Sequence, residues 1–266
     1  MNWITAWRRR PWAGYAVVLA ALAIIGVAYA GLSPGTGRAD APPGPAQDVA
    51  KGKQLFNQNC SSCHGANAEG TDVAPSLLGV GAAAVDFQVS TGRMPAQNPG
   101  AQVPRKRNIF TDAQVHQLAA YVASLGGGPP VPSNAQSDPK TGDAAMGGKL
   151  FRANCAQCHN FAGSGGALTG GKFAPPLNDA NPQQIYEAML TGPQAMPVFN
   201  DTTLTPAQKR AVIAYVTQTR NEANPGGAGL GRIGPVAEGL AGWLVGIGLM
   251  VVAAMWLTAR KPKKND

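Results

Sequence analysis

Apolar residues form two long uncharged runs near the ends of the chain. The first is Trp12–Ala30 and the second is Gly239–Ala259. A helix needs ~20 apolar residues to cross a bilayer. The pattern therefore predicts an N-terminal transmembrane anchor within residues 1–32 and a C-terminal transmembrane helix at 237–259. A cleaved secretory signal is the alternative for the first run, because Ala28-Tyr29-Ala30 fits a small-residue cleavage site.

Basic residues flank both runs on their terminal sides. Arg8-Arg9-Arg10 precede the first run, and Arg260-Lys261-Pro262-Lys263-Lys264 follow the second. Because Lys and Arg accumulate on the cytoplasmic side of a span, we expect a multi-pass protein of the cell membrane. Both termini are then cytoplasmic, and the residues between the spans are extracytoplasmic. All five tryptophans lie in or beside the two runs, which is typical of membrane interfaces.

The middle of the chain consists of two similar halves, with matching positions about 95 residues apart. Leu55-Phe56 in the first half matches Leu150-Phe151 in the second. In each half we expect a helix, a cysteine motif, a proline loop, a methionine loop and a closing helix. The predicted boundaries are a first domain at 48–126, a flexible Gly- and Pro-rich linker at 127–142 and a second domain at 143–223.

Polar residues mark where these helices begin. Thr111 and Thr205 each stand three residues before a glutamine, which is the pattern of a capping box. Asp48 and Asp143 are placed to cap the two helices that lead into the cysteine motifs. The two halves therefore predict the same order of helical elements.

The cysteine motif is Cys60-Ser61-Ser62-Cys63-His64 in the first half and Cys155-Ala156-Gln157-Cys158-His159 in the second. The pattern C-x-x-C-H is typical of c-type haem attachment, in which two thiols bond to one haem and the histidine binds its iron. A structural zinc site would need four ligands from one fold, and a thioredoxin-like pair would need a βαβ setting. Two covalently bound haems c are therefore predicted, attached at Cys60, Cys63, Cys155 and Cys158.

The net charge of +8 changes this interpretation little. Residues 38–235 hold 15 Lys and Arg against 12 Asp and Glu, so most of the positive charge lies in the terminal clusters. No nucleic-acid partner is predicted from such a distribution. The membrane is the expected partner of the basic ends.

The two halves resemble class I cytochrome c domains in tandem. The resemblance implies an all-α fold in which the first and last helices of each domain cross beside one haem. It also implies that the iron has a histidine on one face and a methionine on the other, and that a proline carbonyl orients the histidine. In this chain the implied iron ligands are His64, Met94, His159 and Met196, and the implied carbonyls are those of Pro75 and Pro175.

Other residues compete for these roles. Met146 and Met189 compete with Met196, but Met189 has helical spacing from Ile185 and is favoured as a core residue. His116 competes with Met94, but an exposed position in a helix is favoured for it. The first half also has an extra segment, 96–110, that contains Arg105-Lys106-Arg107. A solvated loop is favoured there over a docking patch for an acidic partner.

With both terminal spans, the whole chain is similar to the dihaem cytochrome c subunit of the actinobacterial cytochrome bc1 complex (menaquinol–cytochrome c reductase). The resemblance implies a subunit of a translocase that carries single electrons and has no catalytic residues of its own. The implied partners are the cytochrome b subunit, the Rieske iron–sulfur subunit and an aa3-type cytochrome c oxidase in one supercomplex. A dihaem subunit of a cbb3-type oxidase and a dihaem peroxidase are the alternatives.

Overall fold

A computed structural model describes residues 12–32, 46–98, 100, 102–222 and 235–259, and these are mostly helical. Helix α1 (Ala13–Leu32) belongs to one compact unit, Met1–Asp40, and the other elements belong to a second, Ala41–Asp266. The helices of the second unit are α2 (Ala46–Asn59), α3 (Ser61–His64), α4 (Ala82–Ser90), α5 (Asp112–Ser124), α6 (Asn134–Ser137), α7 (Ala144–Asn154), α8 (Ala156–His159), α9 (Pro182–Thr191), α10 (Pro206–Asn221) and α11 (Pro235–Thr258).

The first domain is built on the packing of α2 against α5. Gly52 allows the two helices to approach closely, because a Cβ there would lie 1.9 Å from the carbonyl oxygen of Gln117. One turn further along α2, the ring of Phe56 lies 5.3 Å from that of Tyr121. Phe56 is buried together with Leu118 and Val122, so this contact forms the centre of the first core.

The second domain repeats this contact between α7 and α10. A Cβ at Gly147 would lie 1.8 Å from the carbonyl oxygen of Ala211, and the ring of Phe151 lies 5.3 Å from that of Tyr215. Gly147 and Phe151 stand 95 residues after Gly52 and Phe56. The sequence repeat is therefore also a repeat of helix packing.

Three of the four predicted helix starts are confirmed. Thr111 and Thr205 form capping boxes with Gln114 and Gln208, and the side chain of Asp143 accepts from two backbone N–H groups of α7. The prediction for Asp48 is wrong, because α2 begins at Ala46. Asp48 instead lies in the first turn of α2, where its charge is favourable to the helix dipole.

A small hairpin in the second domain departs from the all-α expectation. Strands β1 (Gly166–Ala167) and β2 (Phe173–Ala174) pair antiparallel, with Ala167 opposite Phe173. The hairpin lies between the second cysteine motif and Pro175. It accounts for the longer separation of His159 from Pro175, which is 16 residues against 11 for His64 and Pro75.

The predicted linker, 127–142, has more structure than a flexible tether. It contains α6 and a short 3₁₀ helix, Pro139–Thr141, and both pack against α10. The carbonyl oxygen of Pro129 accepts from the N–H of Ala83, and Ser133 forms a capping box at the start of α6. These contacts attach the linker to both domains, so its ordered structure differs from the expectation of flexibility.

The two domains pack against each other through α4 and α9. Polar side chains bridge the contact: the amide of Gln184 donates to the hydroxyl of Ser90 at 3.2 Å, and the amide of Gln183 reaches Asp86 at 3.4 Å. Both domains therefore belong to one compact body with a polar interface.

The C-terminal helix α11 carries the membrane-spanning pattern. Glu238–Thr258, 21 residues long, is the one helix in the described part of the chain that is long and apolar enough to cross a membrane. The N-terminal run forms α1, but its described apolar part, Gly14–Val27, is shorter than a span of ~20 residues requires. Both predicted basic clusters lie outside the described residues.

Candidate haem sites

In each domain one helical turn arranges the cysteine motif. Cys60 lies between the end of α2 and the start of α3. The N–H of His64 donates to the carbonyl oxygen of Cys60 at 2.9 Å. The second motif repeats this bond from His159 to Cys155, also at 2.9 Å. Residues three apart lie on the same side of a helical turn, so the two thiols of each motif face the same region.

The imidazole of His64 is oriented by a backbone carbonyl. His64 is 8% exposed, and its Nδ1 lies 2.8 Å from the carbonyl oxygen of Pro75. If the Nδ1–H donates to this oxygen, the lone pair of Nε2 is left free to bind a metal. The hydroxyl of Thr71, which donates to the carbonyl oxygen of Cys63 at 2.6 Å, holds the intervening loop.

The second domain repeats this arrangement. Nδ1 of His159 lies 3.0 Å from the carbonyl oxygen of Pro175, the residue that directly follows β2. Burial lowers the pKa of His159, and its hydrogen bond to the Pro175 carbonyl acts in the opposite direction. A neutral imidazole with one nitrogen donating is the form in which histidine ligates metals.

Burial also governs the thiols that begin each motif. It raises the pKa of Cys60 and of Cys155 to about 11, with a smaller contribution from the second cysteine of each motif. Burial therefore favours the neutral thiol over the thiolate at these two positions. Among the described residues, no group of three or more His, Cys, Asp or Glu side chains could hold a metal ion.

Each candidate methionine packs against the core of its own domain. Met94 contacts the same buried cluster as Cys60, and Met196 contacts the cluster that contains Cys155. Met189 is 2% exposed within the second cluster, as expected of a core residue. Met146 is 47% exposed.

His116 also lies where the sequence predicted it. Its side chain is 64% exposed, and its Nδ1 lies 4.0 Å from a carboxylate oxygen of Asp48. This position on the outer face of α5 favours the interpretation of an exposed helix histidine.

A buried arginine was missed by the sequence analysis. Arg93, directly before Met94, is 7% exposed, and its guanidinium lies 4.9 Å from the ring centroid of Phe87. Burial lowers the pKa of Arg93, with a further contribution from Arg105. Its Nη1 has no hydrogen-bond partner within the described residues.

Haem carries carboxylate groups, and a buried guanidinium with a free N–H beside Met94 has the chemistry to pair with one. The residues of the first domain therefore fit a haem. The sequence does mark this position. Arginine precedes the Met-Pro step in the first domain, whereas alanine precedes Met196 in the second.

The basic segment at 105–107 has partners within the chain. Nζ of Lys106 donates to the carbonyl oxygen of Pro95 at 2.7 Å, and Nη1 of Arg105 donates to the side chain of Gln184 at 3.2 Å. Two of the three basic residues thus hold the segment 96–110 against the protein. Neither sequence interpretation of this segment, a solvated loop or a docking patch, includes these contacts within the protein.

Two family models match the two domains separately. "Cytochrome c" matches residues 49–126, and "Cytochrome C oxidase, cbb3-type, subunit III" matches residues 142–216.

The chain is also similar to curated proteins over most of its length. A cytochrome bc1 complex cytochrome c subunit of Mycobacterium tuberculosis is 48% identical over 258 residues, which cover 95% of this chain and 92% of the relative. The protein of the same name from Mycobacterium leprae is 52% identical over 79% of this chain and 74% of its own. A cbb3-type cytochrome c oxidase subunit of an Azospirillum species is 30% identical over 50% of this chain and 47% of its own.

Proposed function

The chain belongs to the family of cytochrome bc1 complex cytochrome c subunits, and from this premise we propose that it carries electrons through two covalently bound haems c. The observation that carries the proposal is the repeated hydrogen bond from a motif histidine to a proline carbonyl, at 2.8 Å in one domain and 3.0 Å in the other. Two copies of one metal-binding arrangement in one compact body fit a carrier with two redox centres.

The residues of the two motifs have distinct roles in this proposal. The two cysteines of each motif would attach the cofactor, and the histidine would bind its iron through Nε2. A methionine would supply the second protein ligand to the iron. Bound haem c supplies a one-electron redox centre, and Met/His ligation raises its potential. The assigned residues are Cys60, Cys63, His64, Met94 and Pro75 in the first domain and Cys155, Cys158, His159, Met196 and Pro175 in the second.

The proposed setting is a respiratory complex in the cell membrane. The chain acts as a subunit of quinol–cytochrome c reductase, beside the cytochrome b and Rieske iron–sulfur subunits. The first domain accepts electrons from the Rieske protein, and the second donates them to an aa3-type cytochrome c oxidase. α11 anchors the chain in the membrane, and the haem domains face the extracytoplasmic side.

Haem content tests the proposal directly. The intact chain should have the mass of the polypeptide plus two haems. A haem-stained denaturing gel should show a band for Cys60→Ala/Cys63→Ala and for Cys155→Ala/Cys158→Ala, but none for the quadruple variant. One haem per chain would contradict the assignment. Purification from native membranes should recover cytochrome b and Rieske subunits with the chain.

A subunit of a cbb3-type oxidase is the second candidate, because the model of that oxidase's subunit III matches residues 142–216. Membrane purification distinguishes the two, since this alternative predicts the oxidase's own catalytic subunit in place of the Rieske protein. A dihaem peroxidase would need an iron with an open position. A Met–iron band from both haems in the oxidised spectrum excludes that enzyme.

A further inference from the structure

A segment of the first domain crosses to the second domain and contacts it at both ligand loops. This bridging loop, residues 102–107, lies within the segment that only the first domain possesses. Its first contact is made by Gln102, whose side-chain oxygen accepts from the N–H of Phe173 at 3.0 Å. The side-chain nitrogen of Gln102 donates to the carbonyl oxygen of the same residue. One glutamine thus satisfies both backbone groups of Phe173.

Phe173 is the first residue of β2, two positions before Pro175. The carbonyl oxygen of Pro175 lies 3.0 Å from Nδ1 of His159. Gln102 therefore fixes the strand that delivers this carbonyl to the histidine. The hairpin has only two residues in each strand, so its own pairing constrains it weakly.

The second contact lies on the methionine side. The side-chain nitrogen of Gln194 donates to the carbonyl oxygen of Val103 at 2.9 Å. Gln194 stands two residues before Met196, and its φ of 60° is in the left-handed region that non-glycine residues disfavour. The bond to Val103 holds Gln194 in this conformation and so fixes the start of the loop that carries Met196.

We propose that the bridging loop positions the iron ligands of the second haem. It acts on the His159 side through Gln102, and on the Met196 side through the carbonyl oxygen of Val103, which accepts from Gln194. Adjacent residues of the loop, Gln102 and Val103, reach the two ligand loops of the other domain. The second haem site is thus completed by residues of the first domain. The proposal rests on the haem assignment of the proposed function.

The second haem should respond when these bonds are lost. A loosened methionine loop weakens the bond from sulfur to iron, and loss of methionine ligation lowers the haem potential. A loosened β2 weakens the support of His159 by the Pro175 carbonyl, which tunes the basicity of the imidazole. Both effects are local to the second haem, so the first haem serves as an internal reference.

The test is redox titration of the full-length dihaem chain in detergent, with the Met–iron band of the oxidised spectrum recorded alongside. Gln194→Ala should lower the potential of the second haem and weaken its Met–iron band. The double variant Gln102→Ala/Gln194→Ala should also shift that potential. The first haem's potential should stay unchanged in both. Gln97→Ala, at an exposed glutamine of the same segment, is the matched control and should change neither haem.

Two results separate the possible failures. A wild-type chain with fewer than two haems by mass contradicts the proposed function itself. Two haems with an unchanged second potential and an unchanged Met–iron band in the double variant overturn the positioning role alone. Should the double variant not fold, Gln194→Leu decides, because it removes the N–H that donates to Val103 without adding a charge. An unchanged potential and band in Gln194→Leu then overturns the proposal.

Discussion

The carboxyl groups of Asp86 and Glu187 share one hydrogen-bond donor, the side-chain amide of Gln183, at the contact between the two domains. Glu187 is fully buried in α9, and Asp86 lies on α4 of the other domain. The amide nitrogen of Gln183 lies 3.0 Å from Glu187 and 3.4 Å from Asp86. Burial, followed by the charge of Asp86, raises the pKa of Glu187 to about 9. The pair therefore holds a proton at neutral pH.

This pair predicts that stability falls as pH rises. The folded chain keeps a proton on Glu187 that the unfolded chain releases above the ordinary value of 4.5, so folding becomes less favourable between pH 4.5 and about 9. Glu187→Gln should flatten this slope and raise the melting temperature at pH 8 more than at pH 5. Melting of the full-length chain, followed by circular dichroism, measures both effects.

Asp179→Asn is the control for the pH prediction, because Asp179 is exposed in the same domain. This variant should keep the wild-type slope. His116 and Asp112 also act on the pair, lowering and raising the pKa of Asp86 respectively. An undiminished slope in Glu187→Gln would show that the carboxyl pair is not its source.

The close approach of α7 and α10 predicts a steric effect at Gly147. The methyl group of Gly147→Ala would meet the carbonyl oxygen of Ala211, a backbone atom that cannot move aside. Overpacking of this kind costs about 1–3 kcal/mol of unfolding free energy. Denaturant unfolding of the haem-loaded chain gives the value.

Gly148→Ala provides the matched control in the same helix. Its nearest neighbours are side-chain atoms of Tyr215 and Arg152 at 3.1 to 3.3 Å rather than a backbone atom, and alanine favours the helix by about 1 kcal/mol. The loss should therefore be clearly smaller than at Gly147. Equal losses at both positions would count against close backbone packing as the cause.

Arg93 predicts a difference between the two haems. A buried positive charge beside Met94 opposes the ferric state, which carries one more positive charge than the ferrous state. Arg93→Gln should therefore lower the potential of the first haem, whereas Arg93→Lys should preserve most of it. Redox titration measures both, with the second haem as reference. If the potential of the first haem is unchanged in Arg93→Gln, the charge of Arg93 does not lie close to the cofactor.

The order of helices could be predicted from the sequence because local rules determine it. Thr111 and Thr205 begin their helices with capping boxes whose two side chains are three residues apart, so the signal is complete within one turn. The cysteine motifs are local in the same way, since the spacing of His64 and His159 from their cysteines is fixed within one helical turn.

Contacts between the domains could not be predicted in this way. Gln102 and Phe173 are 71 residues apart, and nothing in the chain near either residue indicates the partner. Glu187 has an ordinary helical position in the sequence, and only the packing of α9 on α4 makes it buried. Arg93 was overlooked because an arginine beside a proline loop is usually solvated, and its burial depends on the tertiary fold.

We predict that electrons pass in series from the first domain to the second, across the contact between α4 and α9. A series carrier stops when either haem is lost, whereas parallel branches keep partial flow. Cys60→Ala/Cys63→Ala and Cys155→Ala/Cys158→Ala, each assembled in the membrane complex, should therefore both abolish quinol-dependent oxygen consumption. In the second variant the remaining haem should still be reduced by quinol and should stay reduced in air. Reoxidation of that haem at the wild-type rate would contradict the serial order, because electrons would then leave from the first domain directly.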